Sequence, residues 1–354
     1  MCKSPLHPLI ESLPKVEHHI HLEGALEPDL LFQLAARNSI KLPTEDEAFA
    51  NENTLLRRYQ QFTSLDDFLH YYYIGMSVLI SAADFEALAT HYFKKSSADG
   101  VKHTEVFFDP QAHLSRGVSY STVLQGFLNA KAKAEQEHGM SINLIVCFLR
   151  HLPVQDSLAV FDLEEVQRSF TDGHIIGIGI DSSEANFPPH LYIDLYRKAE
   201  ILNLHKTAHA GEEGPAKYIA GALDDLRVER IDHGLRLATD PEIMARVAKD
   251  GVLLTLCPTS NVLLRCVEAM SDVPIREFLD NGVKFSINSD DPAYFRAYIM
   301  DNYCAVQEAF NLSSDDWQVI CKNGIEGSWC HLERKAQLLD ELNSVISKWK
   351  TMNT

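Results

Sequence analysis

Residues 142–149 read INLIVCFL, and a second run, IIGIGID, occupies 175–181. Both are short, rich in Ile, Leu and Val, and apolar at consecutive positions rather than alternate ones. Strands covered on both faces of a parallel sheet read this way. Working outward, VEHHIHL at 16–22 and VKHTEVFF at 101–108 precede them; KTAH at 206–209, RIDH at 230–233, VLLTL at 252–256 and VKFSIN at 283–288 follow. The runs at 206–209 and 230–233 are weak by pattern alone and are counted for the chemistry they carry. Between the runs lie helical patterns. Residues 192–204 put Leu195, Ala199 and Leu202 on one face, and 241–249 gather Ile243, Val247 and Ala248. Gly251 and Gly282 each follow a helix and precede a strand, as glycines that end helices do. Eight strands alternating with helices predict an α/β fold of the (β/α)₈ TIM-barrel type, in preference to an open sheet.

One crossover is too long for a plain barrel. Residues 26–99 separate the first two strands and are read as a helical insertion, with helices over 30–37 and 67–80 and a Tyr71-Tyr72-Tyr73 cluster. It either borders the mouth of the site or braces the barrel without touching a substrate. Helices over 305–310, 315–323 and 333–349 are expected to pack outside the barrel. No linker, low-complexity block or short repeat interrupts the chain, so 1–354 is read as one domain.

The 354 residues carry 32 basic and 50 acidic side chains, a net charge of −18. A field of that sign repels polyanions, which argues against nucleic acid or an anionic membrane as partner and suits a neutral or cationic small molecule. Solubility alone also accounts for such a charge. Seven cysteines with no C-x-x-C pair fit free thiols in a reducing compartment. The N-terminus has no apolar leader segment and no run is long enough to span a bilayer. The expected location is the cytoplasm, with the nucleus as an alternative.

Chemistry concentrates at strand ends. In His19-Ile20-His21, positions two apart on a strand share a face, so both imidazoles aim into the barrel mouth while His18 turns away. HAGEEG at 209–214 supplies His209 and Glu212 just past a strand end, where barrel enzymes keep reactive groups; a plain helix start with acidic first-turn residues is the alternative. Asp232-His233-Gly234 ends the next strand, and His233 is either a catalytic imidazole or a satisfied core histidine. Ser289-Asp290-Asp291-Pro292 ends the last. Two adjacent buried carboxylates repel unless a cation compensates them; the other reading is a helix N-cap followed by proline. Together the motifs point to a cation held by His19, His21, His209 and Asp290.

These segments resemble the adenosine/adenine deaminase family of metal-dependent hydrolases. PKVEHHIHLEG at 14–24, HAGEEG, RIDHG at 230–234, LCPTSN at 256–261 and SINSDDPAYF at 286–295 carry the resemblance nearly end to end. Within the family the chain is most similar to the adenine branch of fungal type, because IDSSE at 180–184 stands where adenosine deaminases keep a DLAGDE-like segment. The resemblance implies one Zn²⁺ per chain on His19, His21, His209 and Asp290. It further implies Glu212 as proton donor to ring nitrogen 1 of the purine, His233 as the group that orients and deprotonates the attacking water, and Asp291 as hydrogen-bond partner of the base's imidazole edge. Glu23 replaces an acid that contacts the ribose in adenosine deaminases. One departure is local: Tyr294-Phe295 is followed by Arg296-Ala297, where adenine deaminases often carry two glycines, so that loop's shape is not carried over.

The expectation is hydrolysis of adenine to hypoxanthine and ammonia, a purine-salvage step. The alternatives are the same chemistry on adenosine or an N6-substituted adenine, and a catalytically inactive zinc-binding interaction protein. The intact Glu212 and His233 speak against the last. AMP is disfavoured because no phosphate cradle adjoins these motifs. The H-x-E/P-C-x-x-C signature of the cytidine-deaminase type is absent.

Overall fold

The computed structural model describes residues 2–352; residue 1 and residues 353–354 of the expected domain lie outside the described residues. Eight strands follow chain order: β1 Lys15–Glu17, β2 Val101–Phe108, β3 Ser141–Leu149, β4 Ile175–Asp181, β5 His205–Ala210, β6 Arg230–His233, β7 Leu253–Leu256 and β8 Lys284–Ile287. Each pairs in parallel with the next. Beyond the last strand the ring is drawn together: Ile20 bridges Asp290, the Asp290 N–H donates to the His19 carbonyl at 3.1 Å, and the His21 N–H donates to the Asp290 carbonyl at 3.0 Å. The fold is the expected (β/α)₈ barrel.

The first strand departs from its expected bounds. The regular ladder stops at Glu17, and residues 18–21 run on as extended chain held by isolated bridges, Ile20 to Asp290 on one side and His21 to Phe107 on the other. The chain here serves two neighbours in turn, which interrupts the ladder but preserves the alternation that puts His19 and His21 on one side.

The barrel's interior is polar near its base. Arg230 on β6 pairs with Glu105 on β2, both buried, and the Trp329 ring lies 3.8 Å from the guanidinium. His103 Nε2 lies 2.9 Å from Glu105. Burial works against charge on Glu105, but Arg230 and His103 outweigh it and hold the carboxyl well below its ordinary range. Stripping one partner from such a buried pair costs about 3–5 kcal/mol, so the pair fixes the spacing of opposite strands beneath the site. It also explains why β6 lacks an apolar pattern: Arg230 and Asp232 are its inward residues.

The segment 26–99 is helical, with Pro28–Asn38, Glu52–Tyr59, Leu65–Met76 and Ala82–Ala98. Leu65–Met76 is capped by Ser64, whose hydroxyl accepts from the Asp67 N–H at 3.1 Å. Its Leu65, Phe68, Leu69, Tyr72 and Tyr73 line the pocket over the barrel mouth, so this part of the insertion borders the site rather than only bracing the barrel. Glu52–Tyr59 and Ala82–Ala98 are the helices that pattern reading passed over. After β8 the helices Ile299–Phe310, Ser314–Gly327 and Leu332–Met352 pack outside, each somewhat longer than expected. Among the described residues no helix is long and apolar enough to cross a membrane.

Candidate metal centre

The four residues read as ligands converge. His19, His21, His209 and Asp290 place one ligand atom each within 4.8 Å of one another, all buried. Asp290 Oδ1 lies 3.1 Å from His19 Nε2 and 3.5 Å from His21 Nε2. The ring centroid of His209 stands 4.6 Å from that of His19 and 5.3 Å from that of His21. Atoms bound at about 2.0–2.2 Å around one ion would show spacings of this size. His19 Nε2 is buried and has no hydrogen-bond partner despite its closeness to Asp290. That geometry, and a donor set of three imidazoles and a carboxylate, fits a divalent cation. His233 and Cys257 form a second, overlapping group with His19 and Asp290.

The candidate ligands are held from behind. The Thr255 hydroxyl lies 2.9 Å from His19 Nδ1 and donates to Asp232 Oδ1 at 3.1 Å; the Thr207 hydroxyl donates to the other Asp232 oxygen at 2.7 Å. His209 Nδ1 approaches Asp232 at 3.6 Å and His21 Nδ1 approaches Asp181 at 3.4 Å. Carboxylates and hydroxyls on the far nitrogen fix the ring and turn the near nitrogen to the centre. Burial pushes the His19 and His21 pKa values down, which favours the neutral rings a metal needs. Burial also opposes charge on Asp232, but the neighbouring His209 and His19 imidazoles outweigh it and take the carboxyl to about 2. Motif reading gave Asp232, Asp181, Thr207 and Thr255 no role. The available signal was the two-residue spacing of Arg230 and Asp232, which puts both inside the barrel.

Two turns that carry site residues are strained. Asp290 has φ 64° and His233 has φ 60°, the left-handed region that costs a non-glycine residue of order 1–3 kcal/mol. The bridge through Ile20 holds Asp290, and register with Ala210 holds His233. Arg296, where glycine was expected, also sits at φ 53°. The loop therefore keeps a shape that suits glycine although the residue differs.

A pocket of about 400 Å³ opens over the cluster, with Glu212, His233 and Asp291 on its wall. Glu212 lies in a turn, not a helix; the helix that follows starts at Ala216. Glu184, from the IDSSE segment, pins that turn by accepting from the Gly211 N–H at 3.2 Å and the Gly214 N–H at 2.6 Å. Gly211 has φ 79°, which a side chain would oppose. Arg150, fully buried, donates to the His209 carbonyl at 2.5 Å and ties this turn to the end of β3. Burial first, then the Asp290, Glu184 and Glu213 charges, raise the Glu212 carboxyl well above its ordinary range. His233 Nε2 lies 3.5 Å from Glu212 and 3.9 Å from Asp290, and burial holds its pKa well down.

Asp291 occupies the N-cap position of Pro292–Phe295, but its side chain makes no capping bond and turns into the pocket. Gly24 makes room for it: a Cβ there would stand 2.7 Å from the Asp291 Cα. Gly24→Ala is therefore expected to cost about 1–3 kcal/mol of stability by overpacking, read as a lower denaturation midpoint; an unchanged midpoint would show that the two backbones separate freely. Glu23 does not face the pocket as a free acid. Its Oε1 takes the His113 ring nitrogen at 2.8 Å and the Asp109 N–H at 3.2 Å. His18 is bound to Ser286 and Ser328 at 3.0 and 2.8 Å, away from the cluster.

The adenosine deaminase family profile matches residues 14–345. The chain belongs to the adenosine deaminase family. Within it, the chain is 51% identical over 353 residues to an adenine deaminase of Gibberella zeae, covering the whole of both chains. Among solved structures, an adenine deaminase from Arthrobacter aurescens superposes with a TM-score of 0.89 at 42% identity, over 95% of this chain and 99% of the other. An amidohydrolase from Burkholderia ambifaria with bound zinc gives 0.87 at 26% identity, over 99% and 98%. The family and a neighbour with bound zinc point to a metal cofactor, which the three imidazoles and Asp290 could hold.

Proposed function

We propose that this chain hydrolyses adenine to hypoxanthine and ammonia at one zinc ion held by His19, His21, His209 and Asp290. The observation that carries the reading is the meeting of that donor set with a buried Glu212, its carboxyl held well above the ordinary range, and a neutral His233 in one small pocket. Relatives named adenine deaminases, about half identical along the whole chain, support the choice of base.

A bound divalent cation lowers the pKa of water from 15.7 to about 7 and so supplies a nucleophile at neutral pH. The protein's own groups do the rest. Attack at carbon 6 moves electron density onto ring nitrogen 1, and Glu212 gives its proton there; such acid catalysis contributes about 10²–10⁴-fold. His233 stands against the same space and takes the proton of the attacking water at Nε2. Asn261, whose side-chain nitrogen lies 3.3 Å from His233 Nδ1, positions the ring so that Nε2 is the nitrogen on the Glu212 side. Asp291, raised by burial and by Asp290, hydrogen-bonds the base at ring nitrogen 7. Leu65, Phe68, Leu69 and Leu264 close the walls and exclude bulk water, which strengthens each of these contacts.

The substrate on this reading is a small neutral purine, which the −18 charge does not repel. All seven cysteines are free thiols, which suits a cytoplasmic enzyme. Ammonia release from adenine and adenosine, assayed side by side, tests the reading. Adenine is expected to turn over at least about 100-fold more efficiently, by kcat/KM, the discrimination that polar contacts and shape give a closed site. Rapid adenosine turnover with inert adenine would overturn it.

A further inference from the structure

The pocket wall opposite Asp291 carries a feature that neither the metal nor the proton transfers use. Asp109 follows β2 and Asp181 ends β4, and both line the pocket that Glu212 and Asp291 line from β5 and β8. With eight strands in ring order, β4 faces β8 across the barrel. Asp109 and Asp181 are 2% exposed, and Asp109 Oδ1 and both Asp181 oxygens have no hydrogen-bond partner. No Lys, Arg, Asn or Gln stands among the pocket residues to supply one, and the Tyr72 and Tyr73 hydroxyls, which border the same pocket, make no hydrogen bond to either acid. Nor does Ser182: its hydroxyl is paired with the His151 ring at 2.8 Å.

The two acids are not equivalent. Asp181 faces His21 at 3.4 Å and belongs to the metal's support. Asp109 opens the short helix Pro110–Leu114 but makes no capping bond. Its backbone N–H is anchored on Glu23, which His113 holds in turn. The side chain is thus placed by its neighbours, with Oδ1 left without a hydrogen-bond partner. A buried acceptor without a donor is costly, and the missing donor has to come with the ligand.

We propose that Asp109 accepts the N–H of ring nitrogen 9 of the bound base, and that this contact selects a free purine over one substituted at that nitrogen. The inference rests on the adenine reading. A free base has one N–H on its five-membered ring. With Asp291 at nitrogen 7, that hydrogen sits on nitrogen 9, on the edge turned to β2 and β4. A nucleoside or 9-alkyl purine brings no hydrogen there and sets a carbon against a buried acid. A site built to bond a hydrogen rejects the analogue that lacks it far more strongly than an apolar wall would.

The test compares kcat/KM for adenine and 9-methyladenine, and inhibition by hypoxanthine and 9-methylhypoxanthine, in the wild type, Asp109→Asn and Asp109→Ala. In the wild type adenine is favoured. In both variants the adenine value and hypoxanthine affinity fall about 10–100-fold, and the ratio of adenine to 9-methyladenine falls at least tenfold. Removing one of several crowded acids should not lower the melting temperature, so loss of fold is separable. If both substrates lose equally, or neither does, Asp109 is not the selecting contact even though adenine remains the substrate. If the wild type turns over 9-methyladenine or adenosine in preference to adenine, the adenine reading fails first, and this inference with it.

Discussion

Glu212→Gln is expected to lower kcat for adenine by about 10²–10⁴-fold while leaving the metal content at the wild-type level. The amide keeps the shape of the side chain and its place in a turn pinned by Glu184, but it has no acidic proton for ring nitrogen 1. KM should change little, because the proton transfer that is lost belongs to the transition state and not to the bound substrate. The variant also separates an enzyme from a binding protein on the same scaffold. Turnover at the wild-type rate would remove Glu212 from the proton path and with it the reason for its buried, raised carboxyl. A loss of metal in step with activity would show that Glu212 supports the centre and does not act on the substrate.

His19→Ala is expected to have the largest effect, a fall of more than about 10³-fold in kcat with metal reduced to a small fraction of the wild-type occupancy. His19 is fully buried, touches Asp290 through Nε2 and reaches the Asp232 hub through Thr255. Its loss removes one ligand and unseats the orientation of two more. Stability supplies an independent reading. A metal that binds only the folded chain stabilises it by RT ln(1 + [M]/Kd), about 4.1 kcal/mol at a thousandfold excess over Kd. Chelation should therefore lower the melting temperature of the wild type and leave that of the variant unmoved. Equal sensitivity of both proteins to chelator would place the ion elsewhere.

Much of this was legible in the sequence, and the failures have physical causes. The runs at 101–108, 175–181 and 230–233 became strands with the same bounds. The apolar strands were readable because both faces are covered. β5 and β6 were found by their chemistry and not by an apolar pattern, because their inward residues include His209, Arg230 and Asp232, spent on the site and on the buried pair with Glu105. His19 and His21 were placed correctly on one face but not in a regular strand, since bridges to two different neighbours are invisible to periodicity. The candidate ligands announce themselves by type and spacing. The groups behind them, Thr207, Thr255, Asp181 and Glu184, are common residues whose work depends on which strand lies alongside, and register cannot be read from one chain segment. Asp109 escaped notice for a related reason: FDP reads as an ordinary helix start until the pocket shows that its side chain caps nothing.

The claim on which the rest depends is that distant strand ends hold one ion. Metal analysis of the purified wild-type chain, with adenine turnover followed through chelation and re-addition of zinc, tests it most directly. The account predicts about one zinc per chain, activity lost with the metal, and activity regained in proportion to zinc restored. A metal-free chain that deaminates adenine at full rate would contradict it.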